Sequence, residues 1–145
     1  MKRSKRMQPI VELADNRERE AARQVGAARH ELGEREQRLQ ELIDYRDEYA
    51  QRFDQAGAVG LDTATLLSYR QFLSQLHEAI EYQRKVVADG ERLVEQRIEE
   101  WKQVRTRLEA LGKVVERLHR EEADAVERQE QKETDEFGQR SGRRR

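Results

Sequence analysis

From Val11 to Ala56 the apolar residues return in alternating steps of three and four, and the same alternation resumes at Leu66 and runs to Ala125. Of the fourteen positions in the first series, eleven are apolar, Glu18, Arg35 and Arg46 being the exceptions. Of the eighteen in the second, fourteen are apolar, interrupted by Gln83, Gly90, Arg97 and Glu122. This is the a/d seam of a heptad repeat, which faces a partner helix only through a left-handed supercoil. Such a pattern admits helices and little else: the only proline is Pro9, and Glu, Arg, Gln, Leu and Ala, all good helix formers, dominate the rest of the chain.

Between the two series stands Gly57-Ala58-Val59-Gly60-Leu61, whose glycines supply the backbone freedom of a reversal. Asp62 or Thr63 can then cap a new helix. Two heptad helices joined by so short a loop must run antiparallel. The sequence therefore predicts an all-α fold, two long helices in an antiparallel coiled-coil hairpin with the second longer than the first. The expected boundaries are a flexible basic N-terminus at 1–9, one hairpin domain at 10–137 (helix 10–56, turn 57–62, helix 63–137), and a disordered basic tail at 138–145. Pairing outward from the turn sets Val11 near Val104–Leu108. Beyond that the second helix has no partner unless the residues before Pro9 are helical too.

Composition narrows the function. Charged residues make up 41% of the chain and hydrophobic ones 35%, below the apolar share of an ordinary globular enzyme domain. The charges nearly cancel, 29 basic against 30 acidic, so the strong net charge of nucleic-acid binders is absent. Pro9 interrupts the basic start Lys2–Arg6 too early for a basic-zipper helix. There is no cysteine, which excludes disulfides, thiolate zinc sites and thiol nucleophiles. No apolar run approaches a membrane span, and no signal-peptide core follows Met1–Arg6. His30, His77 and His119 are far apart without metal-ligand spacing, and Glu99-Glu100 and Glu121-Glu122 sit where nothing excludes water to part their pKa values. The reading is a cytoplasmic, non-catalytic interaction protein with no metal and no cofactor.

Two segments stand apart from a plain coiled coil. Tyr45 and Phe72 fall at g positions, which face each other along one flank of an antiparallel pair and are normally charged. With Leu42, Tyr49, Leu76 and Ala79 nearby, they form either a broadened core at the hairpin tip or an apolar docking patch. At the other end the seam fades after Leu118, and Glu121–Glu136 carries eight acidic side chains against two basic ones. That stretch reads as solvated helix or one that orders on a partner.

The chain resembles the FliJ family of flagellar type III export over nearly its whole length. Leu13-Ala14, Glu18, Glu20, Ala21-Ala22, Leu32, Leu39, Tyr45-Arg46 and Tyr49 are similar to the first family helix. Tyr69-Arg70, Phe72-Leu73, Leu76, Ala79-Ile80 and Gln83, then Trp101 and Arg105, are similar to the second. The most specific match is Arg128-Gln129-Glu130-Gln131-Lys132 with Asp135-Glu136 and Arg140.

The resemblance implies a non-catalytic stalk, soluble and peripheral on the cytoplasmic side of the inner membrane, that is a monomeric hairpin when free. Its terminal end would insert in the hexameric export ATPase and promote its assembly. Its hairpin region would dock on the cytoplasmic domain of the membrane export gate, and the protein would escort export chaperones. Motility and chemotaxis would depend on it only indirectly. Carried residue by residue, the gate-docking surface falls on Leu42, Tyr45, Tyr49, Phe72, Leu76 and Ala79, and the ring contacts on Arg128, Gln131, Lys132 and Asp135. Arg38 and Gln83 stand where the family surface has glutamine and histidine. The alternatives are the stalk of a virulence type III secretion system and a purely structural coiled coil that dimerises through its seam.

Overall fold

The computed structural model describes residues 2–57 and 59–143; Ala58, in the expected turn, and Arg144 and Arg145, in the expected basic tail, lie outside the described residues, as does Met1. The chain is all-α: helix α1 spans Arg3–Gly57 and helix α2, the longer, spans Thr63–Arg143. The described residues of the reversal between them are held by local bonds. Gly60 has φ of 94°, a left-handed conformation that a side chain would oppose. Val59 N–H donates to the Ala56 carbonyl at 3.0 Å and Gly60 N–H to that of Gly57 at 3.2 Å. Asp62 is the cap, its Oδ1 accepting the Thr65 amide at 2.7 Å.

The packing falls into two units, each containing a piece of both helices. In the unit Ala22–Glu100, which holds the turn, the seam residues Val25, Ala28, Leu76 and Ile80 are buried, Ile80 being 2% exposed. The pairing is antiparallel: Phe53 and Tyr49 of α1 meet Tyr69 of α2, while Arg35, earlier in α1, reaches Val86, later in α2. Gly90 fills a seam position because a Cβ there would stand 3.1 Å from Leu32 Cδ1 and 3.3 Å from Arg35 Cδ.

The unit Met1–Ala21 with Trp101–Arg145 is antiparallel too, since Glu18 meets Trp101 and Ser4 meets Glu122. Ala14 and Leu118 are buried there. Val11 lines a groove together with Val115 and His119, farther along α2 than the expected Val104–Leu108.

Four of the polar seam positions take cross-helix partners. Trp101 Nε1 donates to Glu18 Oε1 at 2.9 Å, Arg35 Nη1 to the Val86 carbonyl at 3.0 Å, Gln83 Nε2 to the Arg35 carbonyl at 3.1 Å, and Ser4 to Glu122. A polar group in a seam is tolerated only with its hydrogen bond made, and each such bond is satisfied at one axial alignment of the two helices. Among the described residues no buried side-chain nitrogen or oxygen lacks a partner.

Both helices outrun their expected ends. α1 begins at Arg3, not near residue 10, and passes through Pro9. Proline forfeits the amide bond to Lys5, but the turn before it is held from α2. The Glu122 carboxylate accepts the Ser4 amide at 3.0 Å and the Ser4 hydroxyl at 2.7 Å, filling the place of an N-terminal cap. The partner lies 118 residues away in sequence, beyond the reach of any local signal. α2 runs on to Arg143 rather than stopping near 137. A glycine ends a helix by turning left-handed, and among the described glycines only Gly60 has positive φ, so Gly138 and Gly142 stay in register.

Candidate functional site

Near the turn, heptad spacing stacks aromatic side chains from both helices. Phe53 and Tyr69 lie parallel with centroids 3.5 Å apart, and Tyr49 stacks on Tyr69 at 5.2 Å. Phe72 meets Tyr49 at 4.5 Å and Tyr45 at 6.0 Å, the latter edge to face as ring quadrupoles prefer. The ladder begins in the seam and climbs to the flank, and exposure rises along it. Tyr49 and Phe72 are half-buried, whereas Tyr45 is 47% exposed.

The six residues of the expected gate-docking surface therefore divide by burial. Leu76 is core, 7% exposed. Leu42 and Ala79 are half-buried on the neighbouring turns. Tyr45 presents ring surface to solvent, and Tyr49 and Phe72 support it from below. At the edge, Gln83 turns inward to the Arg35 carbonyl, while Arg38 stays outside and pairs with Glu41 at 3.6 Å. Tyr82, not anticipated from the sequence, stands beside Gln83 with 69% of its surface exposed. Its signal was available: an aromatic at a c position, on the same side of α2 as the g residues Phe72 and Ala79.

The second expected site is a helix face without α1 packed on it. Every residue from 123 to 142 is exposed. Arg128 Nε donates to the Asp124 carbonyl at 3.4 Å and Gln131 Nε2 to Asp135 Oδ1 at 3.4 Å, both contacts within α2. Lys132, next to Gln131, is exposed. Val126 and Phe137, 48% and 75% exposed, are the large apolar side chains of this stretch. Polar contacts at i,i+4 add a little to the stability of such an exposed helix.

Two carboxylates are perturbed, and both serve as caps. Hydrogen bonds from the Ser4 side chain and amide hold Glu122 below the ordinary carboxylate value, and those from the Thr65 side chain and amide do the same for Asp62. Neither lies in a closed pocket, so the shifts describe helix starts rather than an acid and base pair. Among the described residues no three His, Asp or Glu side chains are grouped to hold a metal ion. No described helix is long and apolar enough to cross a membrane.

Comparison with known proteins agrees with this geometry. The family model described as flagellar FliJ protein matches residues 3–145. A flagellar FliJ protein of Escherichia coli (strain K12) is 30% identical over 135 residues, covering 93% of this chain and 92% of that one. A flagellar FliJ protein of Salmonella typhi is 29% identical over 138 residues, covering 95% and 94%. With a hairpin of unequal helices and a family match that runs through the exposed end of α2, the chain belongs to the flagellar FliJ family.

Proposed function

We propose that the protein is a non-catalytic component of flagellar protein export whose exposed α2 end enters the hexameric export ATPase and promotes its assembly and activity. The observation that carries this reading is the continuation of α2 from residue 123 to 142 with all its side chains exposed and with the Arg128–Lys132 motif engaged only within its own helix. A helical end with mixed charge and no fixed partner suits a pore whose subunits it contacts differently in turn, because differential contacts favour different subunit conformations. Arg128, Gln131, Lys132 and Asp135 are the ring-facing residues of this proposal.

The aromatic flank supports a second contact, with the cytoplasmic domain of the membrane export gate. Tyr45 is its exposed anchor, Tyr49, Phe72, Leu42 and Ala79 surround it, and Leu76 supports it from the core. Aromatic side chains are the usual anchors of protein interfaces. The protein would work as a monomer, peripheral on the cytoplasmic face, and escort export chaperones. No cofactor enters this scheme.

The test is nucleotide hydrolysis by the cognate export ATPase near its assembly threshold, with the full chain and with a chain ending at Asp124. That end point keeps the Glu122 clamp on Ser4. Stimulation by the full chain and its loss on truncation are expected. Equal stimulation by both would remove the α2 end from the ring, and none by either would favour a structural coiled coil.

A further inference from the structure

The unit that holds both chain ends carries a feature outside both docking sites. Ile10 and Leu13 occupy g and c positions of α1, where a two-helix coiled coil places charge, yet they are 47% and 52% exposed. Between them and α2 runs an open groove of about 290 Å³, lined by Ile10, Leu13, Val104 and Leu111 and edged by Arg17 and Arg107. Three carboxylates on neighbouring turns are already engaged. Asp15 pairs with Arg19 at 2.9 Å, Glu109 with Arg105 at 3.0 Å, and Glu18 accepts from Trp101. Arg17 and Arg107 have no ion pair among the described residues, so two guanidinium groups at the rim are free to meet a carboxylate.

We propose that this groove is a docking site for an acidic amphipathic helix of another protein. The groove between two antiparallel helices is the natural seat of a third helix, which completes a bundle by setting its apolar ridge between them. Isolated exposed apolar residues need no explanation, but here two on adjacent turns open onto half-buried Val104 and Leu111. The unpaired arginines select the charge of the visitor, since guanidinium groups at a rim favour carboxylates and repel a basic helix. The site is independent of the export-stalk reading, because it uses neither the α2 end beyond Asp124 nor the aromatic flank.

The test uses the full chain and a synthetic, tryptophan-free helix of about 18 residues, five turns, with leucine at i, i+3, i+4 and i+7 and glutamate beside them. A second peptide replaces every glutamate by lysine. Trp101, the only tryptophan, lies one turn before Val104 and reports occupancy by its emission. The glutamate peptide is expected to bind saturably and the lysine peptide at least about tenfold more weakly. Leu13→Ser is expected to weaken the glutamate peptide about tenfold, and Tyr45→Ala to leave it unchanged. Should Leu13→Ser lose helicity, the double reversal Arg17→Glu with Arg107→Glu decides instead, by switching the preference to the lysine peptide. Equal binding of both peptides, no binding, or a preference that survives the reversal overturns the proposal. So does a dimer of the full chain in sedimentation that Leu13→Ser dissolves, which would make the occupant a second copy.

Discussion

Replacing Tyr45 by alanine separates docking from stability on the aromatic flank. A fully buried aromatic side chain removes about 200 Å² from water, and Tyr45 is 47% exposed, so roughly half of that, about 100 Å², is at stake. At about 25 cal/mol per Å² the loss is at most about 2.5 kcal/mol, or a fall in melting temperature of about 5–10 °C for a chain of this size. Leu76, 7% exposed, is the control: its truncation leaves a cavity and costs about 2–5 kcal/mol. Phe72 is a poor probe, for it touches both Tyr45 and Tyr49 and its loss would disturb the ladder. Affinity for the gate's cytoplasmic domain is measured well below the melting temperature, with helicity matched by circular dichroism. Tyr45→Ala is expected to weaken binding about 30-fold, the value of a 2 kcal/mol anchor, and Leu76→Ala only a few-fold despite its larger stability loss. If Leu76→Ala weakens binding as much as Tyr45→Ala does, the flank is a broadened core and the docking argument fails.

Ile80→Ala, at the most buried side chain, should cost about 2–5 kcal/mol, read as a lowered denaturant midpoint with unchanged slope. Gly33→Ala should stabilise by about 0.5–1 kcal/mol, because its Cβ meets nothing within 4 Å in a helix interior. Gly90→Ala should gain less in the same denaturation assay, since its Cβ crowds Leu32 at 3.1 Å. The Ser4 clamp should be pH-sensitive. Glu122 is held below its ordinary value near 4.5, so its contribution is complete above that pH and is lost as pH falls through the lower folded value. The protection of the amides before Pro9 against hydrogen exchange, taken relative to the unstructured rate at each pH, should therefore fall in acid below about 4.5, and Glu122→Gln should show the lower protection already at neutral pH.

The architecture was legible because it rests on periodicity. Eleven of fourteen and fourteen of eighteen seam positions are apolar, and a pattern of that length names its own helices and partner face whatever the details of packing. The turn was legible for a similar reason, Gly60 and Asp62 being residues with local roles. Tyr45 and Phe72 stood out as g-position aromatics; the structure adds that Tyr45 is outside and Leu76 inside.

What the sequence by itself determined is therefore whatever depends on neighbours within a turn or a heptad: two helices, their reversal, their antiparallel sense. What only the tertiary structure decided depends on groups brought together across the pair. Glu18, Arg35, Gln83 and Glu122 looked like faults in the seam, and each has a hydrogen-bond partner on the opposite helix. The start of α1 followed the same rule: Pro9 signals a break, but the carboxylate of Glu122 holds the turn before it. Local propensity is worth about a kilocalorie per residue or a few for proline, and contacts across the interface add to it or oppose it from positions that no local signal reaches.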